Sequence, residues 1–377
     1  MKLLRICAEG LPLFKENLDI SFIATQRVSE DDKDKLQHLF SNIYLNPTEA
    51  LIGINASGKT SALKVILLAL DLVNNEPINH MESKDILGKA KNAVIRTWFY
   101  TAQNELYNLC TTICYTGSRY VITDEALYQK DAAQVKIRKT IFEFSENMLL
   151  AKRTGKEEFL PDDVSIVIAE NRKKNNSLAV TSMLSFTNMN ILPASEKIPP
   201  SIISFLDPTV ESLWFEEKGT RQVVHLKFFG QEDIVLSDSR DLEIYLSSGT
   251  IKGIIVFSAA MSILKAGGYM VIDEIENHFN KEIVTTLIRF FMDTRLNKNG
   301  AVMIFTTHYP ELLDEYDRND SIFITRNRTG ITVDNLTTIL SRNDIKKSDA
   351  YQSGFLEGTT PAYEAYMQLK KSLAAAL

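Results

Sequence analysis

The segment Gly53-Ile54-Asn55-Ala56-Ser57-Gly58-Lys59-Thr60 has the spacing GxxxxGK[ST], and its residue types suit the binding of a phosphate chain. Glycines at 53 and 58 let the backbone turn tightly, so that successive N–H groups through Asn55, Ala56, Ser57 and Gly58 point inward. The start of the following helix, with Ser61, adds its partial positive charge to this nest. Lys59 is placed to reach the β- and γ-oxygens of a nucleoside triphosphate, and the Thr60 hydroxyl to ligate Mg²⁺. Further along, Gly268-Tyr269-Met270-Val271-Ile272-Asp273-Glu274 is an apolar run ending in two carboxylates, the composition of a Walker B strand. There Asp273 serves the magnesium shell and Glu274 polarises an attacking water. Two acids at a strand end are also the ordinary make-up of a solvated turn, and the glycine loop in the same chain is what favours the catalytic assignment.

The elements that must position these groups are visible as pattern. The apolar run 51–55 enters the glycine turn, and Ala62, Val65, Ile66, Ala69, Leu70 and Val73 then recur at helical spacing, giving strand, loop and helix in order. Residues 2–8 and 17–25 predict strands, and the charged stretch 29–40 predicts a solvated helical insertion. Three runs between 92 and 130, rich in β-branched and aromatic residues, predict an antiparallel meander. From 250 onward an apolar helix (250–266), a buried strand (268–273), a helix (280–293) and a buried strand (301–306) alternate, which predicts a parallel sheet. Segment 145–200 mixes charges, short helical patterns and the break ASEKIPP, and is expected to leave the core sheet as a lobe.

Leu246-Ser247-Ser248-Gly249-Thr250 stands between the two phosphate-site motifs, directly before the apolar helix, and resembles the signature motif of ABC-type ATPases. Ser247 is equally well placed as a simple helix N-cap. The resemblance implies that Ser247, Ser248 and Gly249 grip the γ-phosphate of a nucleotide bound to a second subunit. It also makes His308, after the strand AVMIFTTH, the switch histidine that reads the γ-phosphate, and puts Glu276 to Asn280 in the place of the D-loop, with Asn280 positionally comparable. His38, His80, His225 and His278 have no such context. The Q-loop glutamine is not placed; Gln129 and Gln134 are both candidates.

The expected fold is therefore α/β, an ABC-type P-loop NTPase head spanning 1–377 with a mixed or parallel core sheet. Within it, 1–90 supplies N-terminal strands, the P-loop and the first helix. Residues 91–145 form an antiparallel β subdomain and 146–205 a helical or irregular insertion lobe. Residues 206–340 carry the signature, Walker B and switch-histidine core, and 341–377 a C-terminal helical segment.

Composition sets the remaining bounds. The chain has 377 residues, 45% hydrophobic and 24% charged, which suits a globular protein with a large core. Its net charge of −6 lends no support to nucleic-acid coating. Cys7, Cys110 and Cys114 form neither a disulfide framework nor a CxxC pair and read as buried reduced thiols. The first residues, MKLLRICAEGLPLF, carry Arg5 and Glu9 too early for a signal peptide, and no later run reaches membrane-spanning length. Cytoplasmic location without membrane attachment is the expectation.

More narrowly, VITDEALYQK with KIRKTIFEF, LSSGT, IDEIEN and NDIKKSDAYQSGFLEGTTPAY resemble the bacterial AAA-type ATP-binding proteins related to the OLD-family ATPase head, often the ATPase half of anti-phage defence systems. The resemblance covers most of the length from residue 2. It implies ATP and Mg²⁺ as cofactors, ATP hydrolysis, a homodimer or higher homo-oligomer joined through composite ATP sites, and a separately encoded effector, a nuclease or toxin. The last follows because the chain stops near where the Toprim nuclease domain of OLD proteins begins. A DNA-repair ATPase similar to the RecF or SMC heads shares the motif order, and Lys136, Arg138, Lys139 or Arg172 to Lys174 would be its phosphate contacts; no sustained heptads support long SMC arms. A transporter subunit and a scaffold that merely binds ATP are further alternatives.

Overall fold

The structure, a computed structural model, describes residues 1–377 except 136, 156–158, 186–191, 193–197, 219–220, 278, 357, 360–362 and 377. It is a mixed α/β protein. Strands β1 (Lys2–Glu9) and β2 (Leu18–Ser21) are followed by a small ribbon of β3 (Gln37–Phe40) and β4 (Ile43–Leu45), and β5 (Thr48–Ile52) leads into helix α1 (Lys59–Val73). Strands β6 (Ala93–Tyr100), β7 (Glu105–Tyr115), β8 (Tyr120–Asp131) and β9 (Leu149–Lys152) come next. Helix α2 (Val167–Lys174), β10 (Val180–Met183) and α3 (Pro200–Leu206) precede β11 (Val210–Lys218), β12 (Arg221–Phe228) and β13 (Ile234–Leu236). The remaining elements are α4 (Ser248–Ala266), β14 (Tyr269–Ile272), α5 (Lys281–Met292), β15 (Val302–Thr307), β16 (Ile322–Asn327), β17 (Ile331–Asn335), α6 (Leu336–Ile339), α7 (Lys347–Gln352) and α8 (Tyr363–Ala376).

Two six-stranded sheets carry the architecture. One is antiparallel throughout, in the order β2-β1-β6-β7-β8-β9, and contains the expected meander. The other runs β10-β14-β15-β5-β16-β17 and is parallel except for the last pair. Its central strands are buried on both faces, as continuous apolar runs require. Leu51, Tyr269, Val271, Val302 and Ile304 face α1, which packs between the two sheets with Leu3, Ile6, Ala93 and Ile95 on its other side. Ala50, Ile52, Met270, Ile272, Met303 and Phe305 face α4 and α5. At one edge Lys2 pins the sheets together, its ammonium donating to the carbonyls of Gly267 (2.7 Å), Asn299 (2.8 Å) and Gly300 (2.6 Å). Burial pushes the pKa of that lysine down to about 8.

Four expectations are corrected. Stretch 29–40 is not a solvated helix: only a short turn at Asp31–Asp34 is helical, Asp32 pairs with Arg318 at 3.1 Å, and Gln37–Phe40 is a strand paired with β4. Segment 146–205 does not simply leave the core, because Leu149–Lys152 adds an edge strand to the antiparallel sheet and Val180–Met183 one to the parallel sheet. Helix α4 is long and apolar enough to cross a membrane by length and composition, against the expectation that no run reaches that length. Its burial against β14, β10, α3 and α5 accounts for that composition. The three cysteines are free but half-buried rather than buried.

Candidate functional site

Strand β5 ends at Ile52, and the chain turns over residues 53–58 before α1 begins at Lys59. A side chain at Gly53 would place its Cβ 2.3 Å from both Ser57 Oγ and Thr325 Oγ1, so only glycine fits there. Gly58 sits at φ +98, where its missing Cβ makes room for Ile331, and Ala56 is also left-handed at φ 59. No side chain caps α1, whose first amides therefore look into the turn. The loop is braced from outside: Ser57 Oγ and Thr325 Oγ1 bond at 2.7 Å, and Asn327 Nδ2 donates to the Ala56 carbonyl at 3.1 Å.

The cleft above the turn has a volume of about 500 Å³ and is lined by Asn55, Ala56, Ser57, Gly58, Lys59, Thr60 and Ser61 together with Glu274, His308, Asn327, Gly330, Ile331, Pro12 and Leu13. Lys59 is buried and donates to the carbonyls of Gly53 (3.0 Å) and Ile54 (3.3 Å) and to His308 Nδ1 (3.3 Å). Desolvation lowers its pKa, while the nearby carboxylates of Glu276, Asp273 and Glu274 oppose that shift. Because an ammonium only donates, His308 Nδ1 must accept, leaving the ring proton on Nε2, which faces Glu274 Oε1 at 3.8 Å.

Adjacent parallel strands bring the acids to the loop. Thr60 Oγ1 donates to Asp273 Oδ2 at 2.8 Å, and Thr306 Oγ1, from the neighbouring β15, donates to Asp273 Oδ1 at 2.5 Å. Glu274 has φ 49, a conformation that costs a non-glycine residue about 1–3 kcal/mol and that clusters at functional sites. It is held by its N–H to Thr306 Oγ1 at 2.7 Å and by Asn277 Nδ2 to its Oε2 at 2.6 Å. Glu276, which the sequence offers only as part of a loosely matched loop, is buried and accepts the His308 N–H at 2.6 Å through Oε1.

Thr60 and Asp273 form a hydroxyl–carboxylate pair suited to a small hard cation, which takes one or two protein oxygens and completes its shell with phosphates and water. Among the described residues no group of three or more His, Cys, Asp or Glu converges as an all-protein metal cage.

Some expected site residues stand apart from this cleft. Ser247, Ser248 and Gly249 do not line it; Ser247 N-caps α4 by accepting the Thr250 N–H at 3.0 Å. Asn280 likewise caps α5, accepting from the Ile283 N–H at 3.0 Å. Gln129 donates to Glu105 at 2.6 Å and Gln134 lines a different cavity, so neither reaches the loop. Lys136 and His278 lie outside the described residues. Lys174 is half-buried between Glu105 and Glu170, and Arg138 donates to the Thr25 carbonyl, so both cations have internal partners. Thr306, Thr325 and Asn327 join the site through strand pairing; Thr306 stands in the run that leads to His308, and no motif in the sequence singles out Thr325 or Asn327. No protein-family model matches the chain, and no curated protein matches it.

Proposed function

We propose that the chain is an ABC-type P-loop ATPase that binds ATP with magnesium at residues 53–60 and hydrolyses it within a dimer. The observation carrying this reading is the contact of Thr60 with Asp273 beneath the glycine turn, with Lys59, Glu274 and His308 around the same cleft. The amides of the turn cradle the β-phosphate, and Lys59 exchanges its loop carbonyls for phosphate oxygens. Thr60 and Asp273 would hold a magnesium ion, which would supply neutralising charge to the phosphates. Glu274 takes a proton from the attacking water as its oxygen bonds to the γ-phosphorus and the bond to ADP breaks. His308 Nε2, turned toward Glu274, donates to the γ-phosphate.

The exposed N-terminus of α4, outside its own cleft, supports a composite site in which Ser247, Ser248 and Gly249 cap the γ-phosphate of the partner. The wider role, control of a separately encoded nuclease or toxin in anti-phage defence, rests on the family resemblance. Lys174 and Arg138 are held by internal partners, which leaves the exposed Lys139, Arg172 and Lys173 as the described cations for a RecF-like DNA-binding alternative.

Substitution and nucleotide binding test the proposal. Lys59→Ala is expected to lose ATP affinity by about tenfold or more, since charge-assisted bonds contribute about 1.5–3 kcal/mol each. Glu274→Gln is expected to bind ATP and accumulate a dimer, and Ser247→Arg to bind ATP without dimerising. Unchanged ATP affinity in Lys59→Ala contradicts the site, and normal turnover in Ser247→Arg contradicts the partner contact. A nuclease or toxin gene adjoining this one, whose product co-purifies with the chain, is the expected sign of the defence role; a recombination cluster is not.

A further inference from the structure

His308 stands one residue beyond β15, where the strand has ended, and a buried side chain supplies the acceptor for its amide. We propose that Glu276 is a positioning residue for His308: by holding the His308 N–H at 2.6 Å, it fixes the imidazole between Lys59 and Glu274. This role deepens the ATPase reading above and rests on it.

The turn after β14 is laid against residues 306–308 by three hydrogen bonds. Glu274 N–H donates to Thr306 Oγ1 at 2.7 Å, Ile275 N–H donates to the Thr306 carbonyl at 3.1 Å, and Glu276 Oε1 accepts the His308 N–H. Of these, the third reaches the residue whose ring enters the cleft. The His308 side chain is 30% exposed, and its polar contacts are long, 3.3 Å to Lys59 Nζ and 3.8 Å to Glu274 Oε1. Such contacts hold a ring weakly, so its place depends on its backbone. A misplacement on the order of 1 Å can cost a reaction about a hundredfold.

Stability alone does not account for Glu276. The residue is 6% exposed, and while Oε1 takes the His308 N–H, Oε2 is buried with no hydrogen-bond partner among the described residues. Burying a carboxylate with one oxygen unpaired costs more in lost hydration than a single hydrogen bond returns. A group kept at such a cost beneath the cleft fits a functional constraint better than a folding one. Glu276 also bears on Lys59: burial lowers the pKa of that lysine, and Glu276 is foremost among the carboxylates that oppose the shift. One side chain thus steadies the histidine and supports the charge of the lysine that donates to it.

The test compares Glu276→Ala with Glu276→Gln in the full chain, since the glutamine amide oxygen can still accept the His308 N–H. Glu276→Ala is expected to lower kcat for ATP about tenfold with KM changed less than about twofold, and to melt close to the parent. Glu276→Gln is expected to keep kcat within about threefold of the parent. In a His308→Ala background, Glu276→Ala is expected to cost nothing further, because the two residues act as one unit. Without nucleotide, amide hydrogen exchange at His308 is expected to be slow in the parent and in Glu276→Gln and faster in Glu276→Ala. The inference is overturned if Glu276→Gln is as slow as Glu276→Ala, if the losses from Glu276→Ala and His308→Ala add, or if turnover falls only in step with melting temperature. It is equally overturned if exchange at His308 ignores Glu276→Ala. A parent that does not hydrolyse ATP contradicts the ATPase reading instead, and the exchange measurement still decides whether Glu276 holds His308.

Discussion

At the scale of single residues, Asp273 and Glu274 owe their setting to one hydroxyl. Thr306 Oγ1 donates to Asp273 and accepts the Glu274 N–H, so it orients the first acid and holds the second in its left-handed backbone. Thr306→Val keeps the branched shape but removes both bonds. If the proposed chemistry is right, ATP turnover is expected to fall by about tenfold or more, equivalent to about 1.4 kcal/mol of barrier, with a smaller change in ATP affinity. Steady-state kinetics beside a binding titration check it, and unchanged turnover would show that Glu274 does not depend on Thr306. The sequence announces Asp273 and Glu274 by adjacency, whereas Thr306 stands 33 positions from Asp273 and is joined to it only by strand pairing. Glu276 was equally hard to single out, since its partner is the backbone amide of His308, just past the end of β15.

At the scale of elements, the strand–turn–helix unit formed by β5, residues 53–58 and α1 is a rigid unit with one sterically forbidden position. Gly53→Ala would drive a methyl to 2.3 Å from two buried hydroxyl oxygens that themselves bond each other. The expected result is a loss of about 1–3 kcal/mol of stability, the usual cost of overpacking. Thermal melting reads this as a drop of several degrees, and an unchanged melting temperature would show that the loop relaxes freely. The turn and helix were legible because glycine spacing and helical periodicity are local signals. Stretch 29–40 was not: its many charges suggested a solvated helix, but Asp32 is committed to Arg318 and the following residues to a strand ribbon. Helix α4 shows the opposite ambiguity, since apolar composition alone does not distinguish a buried core helix from a membrane span.

At the scale of the whole molecule, α1 lies between the two sheets and carries the half-buried Asp71 near its C-terminal end. Burial, reinforced by Glu76 and Glu82, raises the Asp71 pKa from 3.8 to about 7. The folded state thus holds a proton that the unfolded chain releases at lower pH, and stability falls as pH climbs from 3.8 toward about 7. Asp71→Asn removes this dependence. Its advantage over the parent in denaturant melts is expected to grow across that interval and level off above it, and an advantage identical at pH 4.5 and pH 8 would refute the assignment. Glu49, wholly buried on the strand that feeds the glycine turn, is pushed upward by desolvation in the same sense and adds to the trend.

Across the molecule, order along the chain was readable and adjacency in space was not. Residue types at short separation disclosed the glycine turn, the acidic strand end, the meander and the run of alternating strands and helices, because each depends on backbone geometry and periodicity over a few positions. That β5 lies between β15 and β16, that Lys2 staples one sheet to the end of the other, and that Glu276 meets the amide of His308 all depend on pairings across tens to hundreds of residues. Those pairings are selected by the summed burial of both sheet faces, and no short stretch of sequence carries that sum.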